Sequence, residues 1–262
     1  MLYPLFGSPR LPIIEKSQPH KIDLSGTVVR FSVPPFYDQW GSQRHHPKRL
    51  NIYDLKNYVQ GEDPTPFVKL FESTWRVKGL LLLKKEIGWV SFSMTLMKLT
   101  DNENILNQRL FERALKNNYE NLYGLKGRYN KNSFETLLNW NTLDINGKSW
   151  VTYWGKKESL SETSYPLIWE TPISEEHALS FNFCYQNTRD NKEVPNAVKS
   201  FAQKIMHSVH VELSPSAQQQ KEAAEKQWPG QRYSEHMEPL RWIRPKKDFM
   251  SIEEFLAEDD EL

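Results

Sequence analysis

Residues 143–155 read LDINGKSWVTYWG. Asn146-Gly147 sits between two runs that suit extended chain, and both residues tolerate the positive φ of a type I′ turn, so the stretch predicts a tight antiparallel hairpin. Its second arm is crowded with Trp150, Val151, Thr152, Tyr153 and Trp154, residue types that favour a pleated surface. Outward from this hairpin, residues 88–99 (GWVSFSMTLMKL) alternate. Val90, Phe92, Met94 and Leu96 fall on one side and Trp89, Ser91, Ser93, Thr95 and Met97 on the other. That period of two predicts a strand with one buried face. An earlier run, VKGLLLLKK at 77–85, is also strand-like. Residues 24–33 (LSGTVVRFSV) predict a strand stopped by Pro34-Pro35, and 165–171 and 177–185 predict two more.

Helices alternate with these strands. Leu106, Leu110, Ala114, Leu115, Tyr119 and Leu122 recur at helical spacing over 103–123, with Asp101 and Asn102 as caps and Gly124 as the stop. Pro195 precedes a second helix with Val198, Phe201, Ala202, Ile205 and Val209 on one stripe. Ser214-Pro215 then opens SAQQQKEAAEKQW, which has strong helix formers and no apolar stripe, so it predicts a solvent-facing helix ended by Pro229-Gly230. Met250, Ser251, Glu254 and Phe255 form a capping box with a hydrophobic staple, which predicts a short acidic helix at the end. The reading divides the chain into a Pro-rich arm (1–23), an α+β domain (24–213) of antiparallel sheet with helices packed on it, and an extended helical tail (214–262).

Composition narrows the function classes. Lys+Arg is 34 against Asp+Glu 33, a net charge of +1, without the basic excess that nucleic-acid binding requires. No apolar run approaches the length of a membrane span. The first twenty residues lack the basic start and apolar core of a secretory signal, and Pro4, Pro9 and Pro12 interrupt them. With a single cysteine, Cys184, and hence no intramolecular disulfide, the expected compartment is the cytoplasm. Cys184 lies in the run FNFCYQ and is expected to be a buried structural thiol.

No motif names a chemistry. There is no G-x-S-x-G, P-loop or G-x-G-x-x-G. YGLKGRY at 123–129 lacks a third glycine and follows a predicted helix. His207 and His210 are three apart, but no HExxH or cysteine pair completes a metal site. His45-His46 lie in a basic loop with Arg44, Lys48 and Arg49. The expectation is therefore a protein that is not an enzyme and has no cofactor or metal. Aromatics make up 13% of the chain, including 9 Trp. Trp, Tyr and Arg dominate interface hot spots, and those falling outside the regular α+β pattern are candidate partner-binding residues: Trp40 and Arg44 in the basic loop, and Trp228, Tyr233, Arg241, Trp242 and Phe255 in the tail.

The order of elements resembles the DcrB/PsbP-like α+β fold over roughly residues 24–213: SGTVVRFSVPP, the strand GWVSFSMTLMKL, the helix at 103–123, INGKSWVTYWG, ISEEHALSFNFCYQ and the closing helix VPNAVKSFAQKIMHSV. The stretch 41–87 and the tail depart from it. Two bacterial groups with this fold imply a function. One is the immunity proteins that neutralise type VI secretion toxins, which the chain is more similar to in length and aromatic load. The other is the adaptor chaperones that load secreted effectors. Both imply a toxin or effector protein as partner and no catalytic residues to carry over; an enzyme of unknown class is the remaining alternative. Because the 215–227 helix offers little core, removing residues 214–262 is expected to leave 24–213 folded. Circular dichroism of the truncated chain checks this, and a cooperative loss of folding would make the tail structural.

Overall fold

The computed structural model describes residues 9–35, 48–59, 65–79, 86–99, 104–123, 133–159, 163–187, 191–227 and 229–230. Its strands are β1 (Gln18–Leu24), β2 (Thr27–Val33), β3 (Arg49–Leu50), β4 (Phe67–Lys78), β5 (Glu86–Lys98), β6 (Ser133–Ile145), β7 (Lys148–Ser159), β8 (Thr163–Pro172), β9 (His177–Asn187) and β10 (His210–Glu212). The helices are α1 (Gln108–Tyr123), α2 (Val194–Met206) and α3 (Pro215–Gln227). A six-stranded antiparallel sheet runs β4-β5-β9-β8-β7-β6, and a four-stranded one runs β10-β2-β1-β3. The expected α+β class with antiparallel sheet and packed helices is what the chain adopts.

The large sheet is organised by β5 and β9, which pair without a register break from Gly88 opposite Asn187 to Lys98 opposite His177. Period two then puts Val90, Phe92, Met94 and Leu96 on the inner face with Phe181, Phe183 and Tyr185, all buried. Phe92 stacks on Phe183 at 4.6 Å between ring centroids. From the small sheet, Phe31 meets Phe71, Phe92 and Phe181 edge-on. The two sheets therefore face each other across one aromatic core, and α2 joins it through Phe201, which packs against Trp75 at 5.2 Å. The outer face of the large sheet is partly covered by α1. Phe111, Ala114, Leu115 and Tyr119 close a second core over Val151, Tyr153 and Ile168.

The Asn146-Gly147 turn is as expected, with φ of 53° and 74°. The same geometry occurs at Ser25-Gly26 (φ 52° and 92°), so Leu24-Ser25-Gly26 closes a β1–β2 hairpin instead of beginning a strand. Residues 18–23, read from the sequence as part of an extended arm, belong to β1. Helix α1 starts at 108, later than expected, because Asn104 and Asn107 bend the chain first: the Asn107 Oδ1 accepts the Leu110 amide at 3.1 Å. Pro195 lies within the first turn of α2. Cys184 is half-buried on the outer face, a correction that follows from parity with its inward neighbours Phe183 and Tyr185. The strand-like run 80–85 and the box at 250–255 lie outside the described residues.

The segment between β3 and β4 is tied to the β8–β9 connection. Ile52 is buried, and its carbonyl accepts the Tyr58 hydroxyl at 2.6 Å. Beneath it, His177 is fully buried and its Nδ1 lies 2.8 Å from the Ser174 Oγ. Burial pushes the His177 pKa down to about 4, with Lys98 adding to the shift and Glu176 and the Ile52 carbonyl opposing it.

Two outcomes follow from this packing. A Cβ at Gly88 would lie 2.2 Å from the Gln186 carbonyl oxygen. Gly88→Ala must therefore shift one of the central strands and is expected to cost about 1–3 kcal/mol, read as a lowered thermal midpoint; an unchanged midpoint would contradict the close approach. For His177 the folded pKa lies below the ordinary value, so the unfolded chain binds the proton more tightly. Its contribution to stability is fully present above pH about 6.5 and is lost as pH falls toward 4. The loss is about 3 kcal/mol at ~1.36 kcal/mol per pH unit. Urea midpoints across that window check it, and an identical slope in His177→Asn would contradict the assignment.

Candidate protein-binding surface

Ile13, Tyr53, Leu55 and Val59 are the exposed large hydrophobic residues among those described, at 56%, 54%, 52% and 55% exposure. Three of these four lie within the segment that connects β3 to β4. Large apolar side chains grouped in the open mark interaction sites more often than they occur by chance.

The segment is held by its own polar groups. The Ser25 Oγ accepts the Ile52 amide at 3.1 Å, and the Asn51 Oδ1 accepts the Tyr53 amide at 3.0 Å. Asp54 caps a single 3-10 turn, Leu55–Asn57, by accepting the Lys56 amide at 3.1 Å. The Asn57 Nδ2 donates to the Asn51 carbonyl at 2.9 Å, and the Val59 amide donates to the Phe67 carbonyl at 3.0 Å. Ile52 and Tyr58 are thereby turned inward while Tyr53, Leu55 and Val59 are turned out. The Tyr53 ring stands edge-on to His177 at 5.4 Å, so even the exposed aromatic has a fixed seat. Burial, then the carboxylates of Glu175 and Glu176, push the Tyr53 pKa up, and burial followed by Glu176 does the same to Tyr58. Both phenols stay neutral, so each can donate a hydrogen bond. Asp54 and Lys56, next to the apolar residues in the chain, and Glu175, whose charge reaches Tyr53, are exposed. An apolar centre with a charged rim is the composition of a protein interface.

A second concavity of about 380 Å³ opens on the inner face between α2 and the β6–β7 hairpin. Its floor is Trp154 and Trp169, and the Lys199 ammonium lies 4.3 Å from the Trp154 ring centroid, a cation–π contact. Under α1 the buried carboxylates are committed to the fold. Glu170 accepts the Tyr153 hydroxyl at 2.8 Å, and Glu112 accepts the Trp140 indole at 3.2 Å and the Gln108 amide at 3.1 Å.

All seven residues singled out from the sequence for partner binding, Trp40, Arg44, Trp228, Tyr233, Arg241, Trp242 and Phe255, lie outside the described residues. Of the basic loop, Lys48 and Arg49 are described, and Arg49 reaches Asp23 at 3.6 Å. His207 caps the C-terminus of α2 and His210 opens β10, so these two histidines, three apart in sequence, do not lie on one helix. Among the described residues no group of three or more His, Cys, Asp or Glu is placed to hold a metal ion. No helix among them is long and apolar enough to cross a membrane. Tyr53, Leu55 and Val59 went unnoticed in the sequence, where LNIYDL reads only as a short apolar piece.

No protein-family model matches the chain, and no curated protein matches it. Solved structures with a related course include the solution structure of cyanobacterial PsbP (CyanoP) from Synechocystis sp. PCC 6803. It is 12% identical with a TM-score of 0.39, covering 79% of this chain and 94% of that one. Another is the apo immunity protein TplEi of the type VI secretion system of Pseudomonas aeruginosa, 11% identical with a TM-score of 0.32, covering 76% of this chain and 99% of that one. The α+β architecture itself stands on the strand pairing described above.

Proposed function

We propose that the chain binds another protein and has no catalytic activity of its own, and that it serves as an immunity protein that neutralises a cognate type VI secretion toxin. The observation that supports binding is the trio Tyr53, Leu55 and Val59, apolar and exposed on a segment whose backbone is hydrogen-bonded into place. A preformed apolar surface loses little conformational freedom on association, so more of its burial energy survives as affinity. The finer reading is supported by the sequence pattern and by the aromatic load.

The test is co-expression with the product of the neighbouring gene. The expected result is a complex that co-purifies and cells that survive the toxin. Replacing Tyr53 and Leu55 together (Tyr53→Ser, Leu55→Asp) should weaken binding by about 2 kcal/mol or more, roughly thirtyfold in Kd, because clustered anchors dominate interface energy. The same variant should keep the wild-type far-ultraviolet circular dichroism. No complex and no protection would overturn the toxin reading, whereas a complex untouched by the double variant would overturn the placement of the surface.

A further inference from the structure

α3 has almost no large apolar side chain, yet one of its faces is covered. Ala217 and Ala224 are buried, and Lys221 lies between them on the same face. That face looks onto a cleft of about 450 Å³ at the end of the large sheet. Its other walls are Asn107 and Gln108 at the start of α1, the β6–β7 turn, and Thr171 with Pro172 at the end of β8.

Lys148, the first residue of β7, lines this cleft and is only 7% exposed. Its amine has no hydrogen-bond acceptor and no ion-pair partner among the described residues. An ammonium carries three donors; here the stem is buried while the amine opens into the cleft, where solvent alone meets those donors. The charged groups that face it are engaged elsewhere. Lys221 and Glu225 of α3 pair with each other at 2.6 Å. Asp144, across the hairpin turn, accepts the Gly147 amide at 2.9 Å. The α1 and β8 walls present neutral side chains. Burial, followed by the positive charge of Lys221, pushes the Lys148 pKa down to about 8 against the pull of Glu225. Near neutral pH the amine is therefore still mostly charged, in a site that does not neutralise it. The N-terminus of α1 adds the positive end of its dipole at the same place.

We propose that this cleft is an oxyanion-binding site, in which Lys148 and Lys221, helped by the N-terminus of α1, hold a carboxylate or phosphate group. The oxyanion supplies the acceptors that the chain does not give the Lys148 amine, in place of solvent. It comes from one of two sources, a free small anion or the acidic side chains of a protein segment. Binding stabilises the charged amine, so affinity falls as pH rises through about 8.

The test is calorimetric titration of the full chain with inorganic phosphate, with acetate and with a hexaglutamate peptide, at about pH 6.5 and about pH 9.5. The expected result is saturable binding at the lower pH, weakened about tenfold or more at the higher pH and in Lys148→Met. Above its isoelectric point of about 7.8 the chain is net negative, so nonspecific attraction weakens at the higher pH as well, and the loss in Lys148→Met at the lower pH is what isolates the site. Lys221→Met, on a partly exposed helix position, serves if Lys148→Met does not fold, and it should weaken binding several-fold. A peptide that binds much more tightly than acetate points to an acidic protein segment, and phosphate binding more tightly than either points to a free anion. Absence of binding by all three probes, or affinities unchanged in both lysine variants, would overturn the site.

Discussion

The close pairing of β5 with β9 is the constraint on which the other elements depend. Gly88 lets the two backbones meet where a Cβ would strike the Gln186 carbonyl. The unbroken register then assigns every side chain of both strands to a face. A slip of one residue would flip one strand against the other, carrying either Phe92 outward in exchange for Ser91 or Ser93, or Phe181 and Phe183 outward in exchange for Asn182. The aromatic stack centred on Phe92 leaves no room for that exchange, since truncating a buried Phe alone costs about 3–5 kcal/mol. The small sheet and α2 dock on what this register presents, Phe31 against Phe92 and Phe201 against Trp75.

The same register reaches the proposed binding surface. It ends with Lys98 opposite His177, and His177 is the floor beneath Tyr53 and Tyr58. The exposed segment is thus fastened to the end of the β5–β9 pairing through a buried imidazole kept neutral by burial. A loop held this way can offer apolar side chains to a partner without collapsing onto its own core. At the same end of the strands, across β8 at the start of β7, the character is different. There α3 lies over Lys148 with small residues and one cation, and a polar helix that leaves a cleft beneath it is consistent with a site for an anion.

Where one period governs a stretch, the elements were legible in the sequence: β5 from its alternation, the β6–β7 turn from Asn146-Gly147, and α3 from Ser214-Pro215. The misses have local causes. In β4 the register shifts between Lys69 and Phe71, so Leu70 and Phe71 are buried in succession and the alternation breaks. In β6 Asn139 takes a positive φ of 54° and the pairing jumps from Leu138 to Asn141, which hides the first half of that strand. Pro19 argues against a strand at β1, yet β3 pairs only with Asp23 and Leu24, so the Pro19 side of β1 is an edge that needs no donor. Neither site could be found by pattern. Tyr53, Leu55 and Val59 are separated by polar residues in a segment without period, and their exposure is decided by Ser25, Asn51 and His177, which are near in space and, except for Asn51, distant in sequence. Lys148 looks like any lysine after a hairpin turn until α3 is laid over it.

Under the proposed function, the segment from Asn51 to Val59 receives a protein partner. Hydrogen–deuterium exchange of the chain alone and mixed with the product of its neighbouring gene tests this most directly. Protection gained on mixing should concentrate at residues 51–59 and the adjoining 173–177 turn, while the core of β5 and β9 is unchanged. Complex formation with protection confined to other surfaces, leaving 51–59 as open as in the free chain, would contradict it.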